Sequence, residues 1–141
     1  MSEDGNARLA REAQEAWNAR DLDRYLALLS RDCLVETCWE GAALGHDAVR
    51  SAVQRYLGMF LDLTFETEKV VATDDMAVVR WRAVGIPRAR MADSIPAVQV
   101  AGCSVAGLKD GQIVRLWYYW DREELLRAVR RRPQITQPSA A

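Results

Sequence analysis

The chain has 141 residues, half of them hydrophobic, with 19 lysines and arginines against 20 aspartates and glutamates and a formal net charge of -1. That is the size of one domain with enough apolar mass for a core and a small-molecule cavity. The charge balance leaves no field to attract nucleic acid, other polyanions or an anionic membrane surface.

The start, MSEDGNARLAREAQ, is polar, and no run approaches the ~20 apolar residues of a membrane span, so a cytoplasmic protein is expected. Leu9, Ala13, Ala16 and Trp17 recur at helical spacing. Asn18 to Asp21 interrupts that helix, and Leu22, Tyr25, Leu26 and Leu29 begin a second, giving an N-terminal helical hairpin. The run CLVETCW alternates as a strand does, with Val35, Thr37 and Trp39 on one face. Gly45 then opens a third helix bearing Val49, Val53, Tyr56, Leu57 and Phe60 on one side, with His46 solvated in its first turn.

From Leu61 the period falls to two. LDLTFETEKVVAT, MAVVRWRAVGI, AVQVAGCSVAGL and QIVRLWYYW read as four strands, divided by Asp74-Asp75, by the loop Ile86 to Ala97 and by Asp110-Gly111. Asp-Gly accepts the positive φ of a two-residue hairpin turn, so the last two strands are antiparallel neighbours. Asp121 ends the final strand and, with Glu124 three residues on, forms a capping-box pattern for a closing helix. The folded domain spans 1–132, and the tail PQITQPSAA, 133–141, reads as disordered. Cys33, Cys38 and Cys103 are odd in number and lack C-x-x-C spacing, which fits reduced thiols, and a single histidine argues against a metal site. The order of elements predicts an α+β domain: a curved antiparallel sheet wrapped around three helices of the N-terminal half, forming a cone with a central pocket.

Four segments carry a family resemblance. WNARDLDRYLALLSRDC, ALGHDAVRSAVQRYL, LDLTFETEKVVATDDMAVVRWRAVG and the closing KDGQIVRLWYYWDREELL resemble, in order and spacing, the motifs of the NTF2-like (cystatin-like) superfamily. Within it the chain is similar to the SnoaL-like polyketide cyclase and ketosteroid isomerase branch. The resemblance implies a mostly apolar pocket on the concave face of the sheet and no cofactor. It also implies a homodimer joined through the outer sheet face, where exposed Trp117 and Tyr119 fit an interface.

Aligning the hairpin glycine and Asp121 with the family turns Val114, Leu116, Tyr118 and Trp120 inward. Gly102, Ser104 and Ala106 follow in the same register, as do Val79, Trp81 and Ala83 and, on the strand before, Leu63, Phe65 and Thr67. Arg80 and Arg82 then face out, toward Glu66 and Glu68. Tyr118 occupies the position where the family's cyclases and epoxide hydrolases carry a catalytic aspartate. With an ordinary pKa of ~10 a phenol is a poor base but a usable hydrogen-bond donor to a carbonyl or enolate oxygen.

Ser104 stands where relatives hold a polar group, and is the second catalytic candidate. Thr37 falls at the isomerase's base position and Ala13 near its oxyanion tyrosine, so that enzyme's proton shuttle is missing, while Glu36 points away from the pocket. Trp39, Trp81, Trp120, Tyr56, Phe60, Leu116 and Thr37 would wall the substrate site, Trp17 belongs to the core, and Arg90 or Asp93 would reach the mouth from the long loop. The expected function is cofactor-free cyclisation, isomerisation, dehydration or epoxide opening of an apolar, polycyclic, natural-product-like substrate. The alternative is a non-catalytic ligand-binding or assembly module.

Overall fold

A computed structural model describes residues 2–37, 41–87 and 97–130. Trp39, Cys38, Arg90, Asp93 and the tail 133–141 lie outside them.

Helix α1 (Glu3–Asn18) starts where Ser2 Oγ accepts from Gly5 N at 3.0 Å, and α2 (Leu22–Ala27) starts where Asp21 Oδ1 accepts from Arg24 N at 3.1 Å. Ala10, Ala13 and Ala16 are buried on α1, so no bulky side chain holds the helix away from the sheet. Two asparagines tie its ends down. Asn6 Nδ2 donates to Thr73 O and Asp74 O, both at 2.9 Å, while Asn18 gives to Phe65 O at 2.8 Å and takes from Phe65 N at 2.9 Å. Phe65 sits on an edge strand, so Asn18 satisfies backbone groups that have no neighbouring strand.

Strand β1 (Leu29–Thr37) is followed in the chain by β2 (Gly41–Leu44), α3 (His46–Met59), β3 (Phe60–Ala72), β4 (Met76–Pro87), β5 (Val98–Lys109), β6 (Gln112–Trp120) and α4 (Arg122–Arg130). The six strands form one curved sheet in the order β2-β1-β6-β5-β4-β3, with α1 and α3 against its inner face. β3 to β6 are the expected antiparallel meander, and Asp110 (φ 52°) with Gly111 (φ 76°) makes the expected hairpin turn. Asp121 Oδ1 accepts from the amides of Glu123 and Glu124, at 2.9 and 3.1 Å, and so caps α4. Among the described residues no helix is long and apolar enough to cross a membrane.

Several expectations need correction. The sheet is not wholly antiparallel, because β1 runs parallel to β6. The second helix stops at Ala27, and Leu29 begins β1, where it lies opposite Ile113. β2 was not expected: four residues of Gly, Ala and Leu carry no alternation to read. A register shift between Gly107 and Leu108 puts Ile113, not Val114, in the core, since a bulge reverses the alternation upstream of it. Thr67 is exposed, beside a shift that brings Val70 and Ala72 against the core instead. His46 is half-buried rather than fully solvated: its Nε2 lies 3.0 Å from Leu29 O and joins α3 to β1.

The outer face is as expected at three points. Arg80 and Arg82 converge on Glu68 at 3.6 Å each, and Arg115 meets Glu36 at 3.0 Å while stacking over Trp117.

Candidate functional site

The concave face of the sheet, α1, α2 and α3 enclose a cavity with about 90 Å³ open to the centre of a water molecule. Trp81 forms its floor from β4, Tyr56 comes from the last turn of α3 and Phe60 from the start of β3, Tyr118 and Trp120 from β6, and Leu125 of α4 reaches its edge. No charged side chain lines it among the described residues.

The floor is fixed by three contacts. The Trp81 indole donates from Nε1 to Ser104 Oγ at 2.7 Å, and Phe65 meets its ring edge-on, with centroids 4.7 Å apart. The third is Gly102, over which the ring lies so closely that a Cβ there would sit 2.5 Å from Trp81 Cη2. Phe65 in turn meets Trp17, and Trp17 meets Tyr25, both in edge geometry. Trp17, expected only in the core, therefore also walls the cavity.

Two hydroxyl pairs supply the polarity. Tyr56 donates to Thr37 Oγ1 at 2.9 Å and so ties α3 to β1. Tyr118 and Tyr25 lie with their phenol oxygens 2.8 Å apart, β6 meeting α2. Burial pushes the Tyr118 phenol up to about 12, offset in part by the hydrogen bond it shares with Tyr25. Tyr25 is held well above its ordinary 10.0, chiefly by burial and then by Tyr118 itself. Both phenols thus carry their protons at neutral pH and act as donors.

The structure brings together Tyr118, Thr37, Tyr56, Phe60, Trp81 and Trp120 around one cavity. Ser104 and Leu116 wall a second, smaller cavity on the other side of Tyr118. Ser104 meets the larger site only through Trp81. Tyr25 was missed because it sits at core spacing on α2. The available signal was its hydroxyl, which needs a partner wherever a tyrosine occupies an apolar helix face.

This curved six-stranded sheet over helices is the NTF2-like architecture. A candidate polyketide cyclase of Xanthomonas campestris superimposes with a TM-score of 0.80 at 22% identity, covering 90% of this chain and 98% of that one. An LEH-like epoxide hydrolase of M. tuberculosis gives 0.74 at 17%, covering 90% of each. TerC, crystallised with polyporic acid, gives 0.78 at 13%, covering 89% and 98%. Among curated proteins none matches significantly. The sequence model of the SnoaL-like polyketide cyclase family matches residues 7–129, and the chain belongs to that family.

Proposed function

We propose that the chain is a cofactor-free enzyme that holds an apolar, flat or polycyclic substrate in the large cavity and places one substrate oxygen against the Tyr118 hydroxyl. The observation that carries this reading is the Tyr25 and Tyr118 pair, 2.8 Å apart on the wall of a mostly apolar cavity. In such surroundings a phenol proton aimed at a carbonyl or epoxide oxygen stabilises the charge that develops there, because the donor is already in place and little solvent has to reorganise. Tyr25 strengthens the effect by donating to Tyr118 as that oxygen gains charge.

The described cavity offers no carboxylate or imidazole, and both phenols hold their protons far above neutral pH. The chemistry that fits is therefore assistance to a substrate bringing its own reactive centre: cyclisation, isomerisation, dehydration or epoxide opening, with the protein supplying shape and a hydrogen bond. TerC, of the same fold, was crystallised with polyporic acid, and the M. tuberculosis relative is an epoxide hydrolase; both support an oxygen-bearing organic ligand.

The missing base also favours a second reading, a binding module that holds such a ligand without turning it over. Native mass spectrometry of the purified protein identifies a retained ligand. Tyr118→Phe then separates the readings: turnover of that ligand or its precursor should fall by 10²-fold or more for an enzyme, in the range of one lost oxyanion donor. Unchanged turnover would remove Tyr118 from the mechanism.

We also propose that copies pair through the outer face of the sheet in the cytoplasm. Val71, Val78, Val105 and Trp117 lie opposite one another across β3, β4, β5 and β6, and Tyr119 beside them is 52% exposed. Arg80, Arg82 and Glu68 on one flank and Arg115 with Glu36 on the other present both signs of charge, so a two-fold copy meets its complement.

A further inference from the structure

Tyr118 stands between two cavities. Behind it, away from the large site, lies a second space of about 20 Å³, walled by Tyr118, Gln14 of α1, Ser104 of β5 and apolar neighbours including Ala13 and Leu116. That is room for one water molecule, whose occupancy of such a space needs two to four polar partners.

The partners are there, and each has unused capacity. Gln14 Nε2 is buried without an acceptor in the protein. Ser104 Oγ accepts the Trp81 indole proton at 2.7 Å, which leaves its own hydrogen to be placed. The Tyr118 oxygen shares one hydrogen bond, with Tyr25, and has room for another.

We propose that the small cavity binds a single water molecule, and that through it Gln14 is a positioning residue for Tyr118. Gln14 Nε2 and the Ser104 hydroxyl donate to this water, and the water donates to the Tyr118 oxygen. Tyr25 donates to the same oxygen from the other side. With both of its acceptor positions taken, the Tyr118 hydroxyl has one place left for its proton, the large cavity. Each donor in the chain polarises the next, so the two behind Tyr118 make it a stronger donor to whatever lies in front. Ser104 thereby acts on the site indirectly, from the second cavity. The role of Gln14 rests on the reading of Tyr118 as the donor to substrate; the water site does not.

A crystal structure of the unliganded protein at a resolution that shows ordered water decides the site. Density is expected within hydrogen-bond reach of Gln14 Nε2 and of Tyr118 Oη or Ser104 Oγ, and should be lost in the near-isosteric Gln14→Met. A dry cavity in the wild type overturns the proposal. Calorimetry with α-tetralone and its hydrocarbon counterpart tetralin decides the positioning role. Gln14→Met should weaken tetralone roughly three- to tenfold, the scale of one altered hydrogen bond, and leave tetralin unchanged. Equal effects on both probes, or none, overturn that role. Failure of tetralone to bind the wild type would instead sink the reading of Tyr118 as a carbonyl donor, and the crystal structure still decides the water site.

Discussion

Three weak acids lie close together in the protein interior, Cys33 beside the Tyr25 and Tyr118 pair. Cys33 is fully buried, and burial pushes its thiol from 9.0 to about 12. Tyr118 is pushed from 10.0 to about 12, and Tyr25 is also raised. In the unfolded chain these groups ionise near their ordinary values, whereas the folded chain keeps their protons. Across that window the unfolded state binds fewer protons, so stability is intact below about pH 9 and falls as pH rises toward about 12. The slope approaches ~1.4 kcal/mol per pH unit for each group. Urea unfolding at about pH 8 and about pH 11 should show this loss, and Cys33→Ala should make it shallower; an unchanged midpoint would contradict the buried, protonated cluster. At neutral pH the substitution Tyr118→Phe leaves Tyr25 without its partner and should cost ~1–3 kcal/mol of stability by the same urea measurement. A protein stripped of activity but still folded is therefore the expected outcome.

Elements meet at positions where one atom more would not fit. Gly102 of β5 lies under the Trp81 ring, and a Cβ there would stand 2.5 Å from Trp81 Cη2 and 2.6 Å from Tyr119 O. The carbonyl cannot yield without bending the strand. Gly102→Ala should lower stability by roughly 1–3 kcal/mol and displace the cavity floor. Gly58 gives the opposite case: it is exposed in α3, and a Cβ there meets nothing within 4 Å. Gly58→Ala should stabilise by ~0.4–1 kcal/mol through the unfolded chain's lost freedom. Thermal melts of the pair should shift in opposite directions; a matching shift would refute the close packing over Gly102. At this scale the sequence was legible where chemistry is local, as in the Asp110-Gly111 turn, the Asp121 cap and the period-two runs. It was illegible at β2, too short and too rich in small residues to alternate, and at Val114, whose parity was reversed by a bulge. Bulges are set by pairing across strands, which a single run of residues does not encode.

At the scale of the whole molecule, the proposed pairing through the outer face makes its own demand. Tyr119→Arg places a charge on the exposed side of β6, away from the cavity, and in a homodimer it is repeated across the two-fold axis. Light scattering after gel filtration should show the mass fall from dimer to monomer with ligand binding retained. A wild type that already runs as a monomer would dispose of the outer-face interface. The sequence by itself determined the α+β order, the four-stranded meander, the family and the apolar character of the site, because these follow from periodicity, turn chemistry and motifs carried on contiguous residues. It also singled out Tyr118. Only the tertiary structure paired Tyr118 with Tyr25, 93 positions earlier in the chain, and placed Ser104 on the smaller cavity rather than the larger one. It also set Gln14 on the wall of the small cavity that the same phenol lines. Which hydroxyl meets which is decided by how α1 and α2 seat on the sheet. That seating sums many contacts between distant segments, and no local pattern of residues records it.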